Sequence, residues 1–97
     1  MASPASLALL RADLGFAAAE TVPEPVASLM DTYLDTAAAD LQRDGIVIDE
    51  SVPADLSLLV MYAAWLYRRR ASGEGKSEML RQQIRDRKVA KATGSQT

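Results

Sequence analysis

The segment Leu56–Tyr67 constrains the fold more than any other part of the chain, because as a helix it is apolar on nearly every side. One helical stripe consists of Leu56, Leu59, Val60, Ala63, Ala64 and Tyr67, and most other positions are taken by Leu58, Met61, Tyr62, Trp65 and Leu66. A chain of 97 residues has a thin core, and one partner helix cannot cover such a surface. We therefore expect self-association, with a subunit interface formed by Leu58, Met61, Tyr62 and Trp65.

The residue periodicity around this segment predicts three further helices. Residues 3–14 form a short first helix that has Ser3 as its N-cap. In residues 25–44, apolar side chains recur with the i, i+3, i+4, i+7 spacing of an amphipathic helix. Ser77 is the cap of a basic last helix, which extends to about residue 90 and has few apolar side chains.

The sequence thus predicts an all-α fold, a small bundle of two main antiparallel helices with a short N-terminal helix and a basic C-terminal helix. The second main helix begins at Pro53 and ends at Arg68–Arg70, where cations suit the negative end of the helix dipole. Residues 46–48 between the main helices are β-branched and are compatible with a short extended piece. We expect residues 1–90 to form a single domain and residues 91–97 a flexible tail.

The absence of cysteine and histidine narrows the possible functions. It excludes disulfides, thiolate metal sites and a cysteine nucleophile, and it removes the commonest general base. Asp31 and Asp35 share a helix face, but no partner base accompanies them, so a solvated face is the simpler interpretation. We expect neither enzymatic activity nor a bound metal or cofactor.

The hydropathy pattern gives no sign of a membrane partner. No basic leader precedes an apolar core at the N-terminus, and the longest apolar stretch, Leu58–Tyr67, is about half of a membrane span. We expect a soluble protein that is synthesised in a cytoplasm.

The charges divide between the two halves of the chain. Positions 1–50 contain nine acidic and two basic residues, whereas positions 51–97 contain nine basic and four acidic residues. Such asymmetry is typical of an interaction surface, or of head-to-tail pairing between copies. Solvated charged faces on separate helices explain the same pattern.

Two basic clusters, Arg68–Arg70 and Arg81–Lys91, dominate the second half. Basic clusters bind phosphate backbones, and they also bind acidic protein surfaces. We favour protein contact, because the chain as a whole is acidic and a helix-turn-helix would need a shorter turn between its two main helices. The nearby aromatic residues Tyr62, Trp65 and Tyr67 fit a core or interface, although aromatics beside arginines also stack on single-stranded bases.

The order of these segments resembles the small helical head–tail connector (adaptor) proteins of tailed bacteriophages. The first amphipathic helix closes on Leu41–Ile46, and the short acidic connector 49–53 follows it. The second helix has the aliphatic run Leu58–Leu66 and ends in Tyr67-Arg68, and a basic helix with Met79, Leu80 and Ile84 comes last. The resemblance covers roughly residues 5–90, and the third segment departs from the family in being strongly charged.

The resemblance implies a structural virion protein at the capsid–tail junction. Family members form a homo-oligomeric ring, commonly of twelve copies, beneath the portal protein. The ring extends the channel through which DNA passes and meets the next connector, stopper or tail protein. Carried onto this sequence, the portal-side or partner contacts are Tyr67, Arg68, Arg69, Arg70, Arg81, Arg85, Arg87 and Lys88. The acidic first main helix is a candidate for subunit contact or for lining the channel.

Two alternatives remain open at this point. The first is a small DNA-binding regulatory protein that uses the basic C-terminal third. The second is a chaperone-like or antitoxin-like helical protein whose C-terminal segment folds on a partner.

Overall fold

The computed structural model describes residues 3–16 and 24–92, without the side chains of residues 71 and 72. This part of the chain forms four helices and no strand, which confirms the all-α prediction. The helices are α1 (Pro4–Asp13), α2 (Val26–Arg43), α3 (Pro53–Ser72) and α4 (Glu78–Ala92). The predicted connector before α2 lies largely outside the described residues, as does most of the predicted tail.

Local capping explains why α1 and α2 begin and end where they do. The Ser3 hydroxyl accepts a hydrogen bond from the Ser6 backbone N–H, as expected of an N-cap. At the end of α2, Ile46 N–H donates to Leu41 C=O at 2.8 Å and Gly45 N–H donates to Gln42 C=O at 3.0 Å. This is a Schellman motif, and it requires the positive φ of 95° that Gly45 adopts. Gly15 closes α1 in the same way.

The Schellman motif also determines the conformation of the β-branched segment 46–48. Ile46 is fully buried against the core, in the apolar contact that accompanies such helix ends. Val47, in contrast, is 65% exposed. The segment is therefore part of the turn that ends α2, and Ile46 anchors it to the core. It pairs with no strand among the described residues.

Both later helices extend beyond their predicted ends. Helix α3 continues through residues 71 and 72 to Gly73, which adopts a φ of 69° and donates its N–H to Arg69 C=O. Ser77 caps α4 as predicted, because its hydroxyl accepts a hydrogen bond from Leu80 N–H at 3.1 Å. Helix α4 ends at Ala92, two residues beyond its predicted end near residue 90.

Helix α3 is the centre of the bundle, because α1, α2 and α4 all pack against it. Contacts between Tyr33 and Tyr67 and between Asp40 and Tyr62 show that α2 runs antiparallel to α3. Among the described residues, α1 also packs against α2, whereas α4 packs against α3 alone. No helix of this part is long and apolar enough to span a membrane.

In this arrangement the chain itself covers much of α3. Two of the predicted interface residues belong to the core of the chain itself, since Leu58 is fully buried and Tyr62 is 7% exposed. Met61 and Trp65 are partly buried at the edge of that core. The expectation of self-association considered one partner helix for α3, but three helices of the chain pack against it.

We expect Leu58→Ala to lower the free energy of unfolding by about 2–5 kcal/mol, because it leaves a cavity at the centre of the bundle. Urea unfolding followed by circular dichroism measures this. Met79→Ala is the control, because Met79 is 67% exposed and its truncation should change stability by less than about 0.5 kcal/mol. Equal effects of the two substitutions would contradict the central position of α3.

Candidate functional site

A buried carboxylate ties the last helix to the rest of the fold. Asp55 lies in the first turn of α3 and is fully buried. Its Oδ1 accepts a hydrogen bond from Arg87 Nε at 2.9 Å and lies 2.8 Å from Arg87 Nη2. Its Oδ2 accepts hydrogen bonds from Lys91 Nζ at 2.8 Å and from the backbone N–H of Asp49 at 2.9 Å. One side chain therefore holds α3, α4 and the connector before α3 together.

The pKa of Asp55 reflects a competition between burial and these contacts. Burial is the largest single influence and opposes ionisation, because a charge is poorly solvated inside a protein. The hydrogen bonds from Lys91 and Asp49 N–H, together with the charge of Arg87, outweigh it. The pKa of Asp55 is therefore lowered from its ordinary value of 3.8, and the side chain is ionised at neutral pH.

Helix α4 contacts Asp55 through two cations that lie on the same helix face as its buried apolar side chains. Leu80 and Ile84 are buried against α3, and Arg87 and Lys91 follow them at the next positions on the same face. Arg87 is only 5% exposed. The prediction that Arg87 contacts a portal or another partner is wrong, because its guanidinium is enclosed with Asp55.

This cluster was not among the predicted sites, although the residue pattern contains a signal for it. Asp55 is the only acidic residue within the apolar segment 53–67. Arg87 lies three residues after Ile84 and Lys91 four residues later, which is the period of one helix face. An isolated acid in an apolar helix and two cations on the apolar face of another would together have indicated a buried ion pair.

Three other predicted contact residues form ion pairs with the chain's own carboxylates. Arg68 Nη2 lies 2.9 Å from Asp13 Oδ2 at the end of α1. On α4, Lys88 Nζ lies 3.6 Å from Asp44 Oδ1 and Arg85 Nη2 lies 3.8 Å from Glu78 Oε1. Part of the charge asymmetry between the two halves is therefore neutralised within the molecule.

Tyr67 and Arg70 lie together on the α2 side of α3. The Tyr67 ring meets the Tyr33 ring edge-on, with centroids 6.2 Å apart. The Arg70 guanidinium lies 4.3 Å from the Tyr67 centroid, in a cation–π contact. The side chain of Arg70 is exposed and that of Tyr67 is partly buried.

The single tryptophan lies beside two cations near the turn that joins α3 to α4. Arg69 Cζ lies 5.0 Å and Lys76 Nζ 4.7 Å from the centroid of the Trp65 ring. The Tyr62 ring meets it edge-on at 5.4 Å, and Trp65 Nε1 donates a hydrogen bond to Glu74 C=O at 3.2 Å. Trp65 is partly exposed, so this cluster is both ordered and accessible.

An open groove of about 390 Å³ begins at this tryptophan. Met61, Trp65, Met79 and the buried Leu80 are its large apolar lining residues, and Gly75 lies on its wall. We call it the upper groove. The Arg81 side chain reaches its edge, since a Cβ placed on Gly75 would lie 3.9 Å from Arg81 Nη2.

A second open groove of about 580 Å³ adjoins the first along α1 and α3. Its large apolar lining residues are Leu9, Leu56, Val60 and Met61. Met61 and Asp13 line both grooves, so the two are neighbours. We call this one the lower groove. Leu9 is 46% exposed there, which leaves apolar surface in contact with water.

The described part of the chain contains no group of three or more acidic residues that could hold a metal ion. Comparison with family models, with curated proteins and with solved structures gave no match to this chain. The features of this molecule that bear on function are the buried ion cluster, the two grooves and the exposed cations.

We expect Asp55→Asn to lower the free energy of unfolding by about 3–5 kcal/mol, because it leaves the buried charge of Arg87 without its counter-ion. Asp13→Asn is the matched control, because it breaks a largely exposed ion pair and should cost less than about 1 kcal/mol. Urea unfolding measures both. An Asp55→Asn protein as stable as Asp13→Asn would show that the cluster contributes little.

The stability gap between the wild type and Asp55→Asn should depend on pH. Because the pKa of Asp55 is lowered by folding, its ionisation adds stability above the ordinary value of 3.8. That contribution declines below 3.8 and is lost once the pH falls through the lowered pKa of the folded state. Unfolding curves recorded in steps from neutral pH into acid should show the gap closing, whereas a constant gap would contradict the assignment.

Proposed function

We propose that this chain is a subunit of the head–tail connector of a tailed bacteriophage, and that copies of it form a ring beneath the portal protein. The ring extends the DNA channel and joins the capsid to the next connector, stopper or tail protein. The helix order supports this proposal, because a short first helix, two main antiparallel helices and a basic last helix match the arrangement implied by the resemblance.

The observation that carries the proposal is the apolar surface that remains after the chain has folded. Leu9 and Met79 are 46% and 67% exposed, and Leu56 and Met61 are partly buried between them. Contiguous exposed apolar side chains mark interaction sites in soluble proteins. The lower groove is therefore our candidate for the contact between subunits, in place of the buried Leu58 and Tyr62.

A ring requires two different patches on each subunit, because head-to-tail contacts join unlike surfaces. The lower groove is one such patch. The other large exposed apolar side chains in the described residues are Val47 and Val89, which are 65% and 63% exposed. Either of them is small enough to enter a groove of this kind on the next subunit.

The alternative of a DNA-binding regulator has one observation in its favour. Arg81, Arg85 and Lys88 form an exposed row at i, i+4, i+7 spacing on α4. However, Arg87 and Lys91 are bound to Asp55, and Lys88 and Arg85 lie near carboxylates of the chain. The row is therefore a weaker phosphate-binding surface than the sequence alone indicated.

Co-expression with the portal protein of the same phage tests the proposal. We expect native mass spectrometry to detect a complex with many copies of the chain, and electron microscopy to show a ring on the portal. Leu9→Glu should abolish this assembly, because it puts a charge into the lower groove, while circular dichroism remains unchanged.

Ala8→Glu is the matched control, because Ala8 is exposed on the same helix and does not line the groove. It should assemble like the wild type. A chain that stays monomeric with portal present would refute the connector proposal. Binding of duplex DNA that weakens with salt, without any assembly, would favour the regulator instead.

A further inference from the structure

We propose that the upper groove is the docking site for an acidic amphipathic segment of a partner protein. Apolar side chains of that segment would contact Met61, Trp65 and Met79, and its carboxylates would meet Arg69, Lys76 and Arg81. This inference rests on the proposed binding role and names the surface and the chemistry of the partner.

The floor of the groove has the composition of an interface centre. Trp, Met and Arg are enriched at protein–protein interfaces, and Trp and Arg are the most frequent sources of binding energy there. Met79 is 67% exposed and Trp65 is partly exposed, so both are open to a partner.

The rim of the groove is positive and is only partly neutralised within the molecule. Among the described residues, no carboxylate lies within ion-pair distance of Arg69, Lys76 or Arg81. The groove also contains Asp13, which is paired with Arg68, and Glu74. Charge complementarity therefore calls for an acidic partner, which such a rim would attract and orient.

The rim cations are also held in place before a partner arrives. Arg69 and Lys76 both lie against the Trp65 ring, and the indole N–H is fixed by its hydrogen bond to Glu74 C=O. Ordering these side chains in advance reduces the entropy lost on binding. An acidic amphipathic protein segment fits this site better than a nucleic acid, because two cations already lie over the Trp65 ring, where a base would have to stack.

The test uses the fluorescence of Trp65, which is the only tryptophan in the chain. The probe is a set of short synthetic peptides that have Leu, Phe or Met on one helical face and Glu at the other positions. One matched set replaces every Glu with Lys, and another replaces every apolar residue with Ser. We expect saturable changes in Trp65 emission with members of the acidic set, and about ten-fold weaker binding or none with both matched sets.

Substitutions around the upper groove test whether the peptide binds there. The triple variant Arg69→Gln, Lys76→Gln and Arg81→Gln should weaken peptide binding by about ten-fold, since each exposed charge contributes modestly. Met79→Ser should weaken it as well. Arg70→Gln is the control, because it removes a charge from the same turn of α3 but lies over Tyr67, and binding should change by less than about two-fold.

Several results would overturn the inference. They are an unchanged Trp65 emission with every acidic peptide, equal binding of the Lys peptides, equal effects of Arg70→Gln and the triple variant, or tighter binding of single-stranded DNA than of any peptide.

Assembly on portal separates this inference from the proposed function. A triple variant that binds no peptide but still assembles normally refutes the docking site as the functional contact and leaves the connector proposal intact. Peptide binding by a chain that never assembles refutes the connector proposal alone.

Discussion

The buried contact of Asp55 with Arg87 and Lys91 is the interaction on which the arrangement of the C-terminal half depends. Helix α4 brings only two buried apolar side chains, Leu80 and Ile84, to α3. A helix with so little apolar area is marginal by itself, so the buried ion pair, which is costly to break, has a large share in fixing its position. Helix α4, held in that position, forms one wall of the upper groove. The shape of the groove therefore depends on Asp55, a carboxylate at the other end of α3.

The sequence predicted the elements of this fold well, because their causes are local. Caps at Ser3 and Ser77, a proline at position 53 and glycines at positions 45 and 73 act within one helical turn. The Asp-Gly-Ile end of α2, which contributed to the resemblance, is also explained by the Schellman motif. A capping motif of this kind occurs in unrelated helical proteins, so the resemblance gains little from it.

The site was predicted less well, because it depends on which helices meet. Periodicity showed that α3 is apolar all round but not that α1, α2 and α4 would each cover a side of it. Leu58 and Tyr62 were therefore placed in an interface when they belong to the core. Counting charges likewise could not separate Arg87, which is buried with Asp55, from Arg81, which lies beside the groove. Only three-dimensional pairing distinguishes a structural cation from an accessible one.

The packing of α4 against α3 alone has an evolutionary consequence. Among the described residues, helices α1, α2 and α3 contact one another directly, whereas α4 is attached through one neighbour and a five-residue linker at positions 73–77. Insertions, extensions or changes of charge on the outer side of α4 leave the three-helix unit undisturbed as long as Leu80, Ile84, Arg87 and Lys91 are kept. The last helix is therefore the part of this chain that is best able to diverge in step with a changing partner.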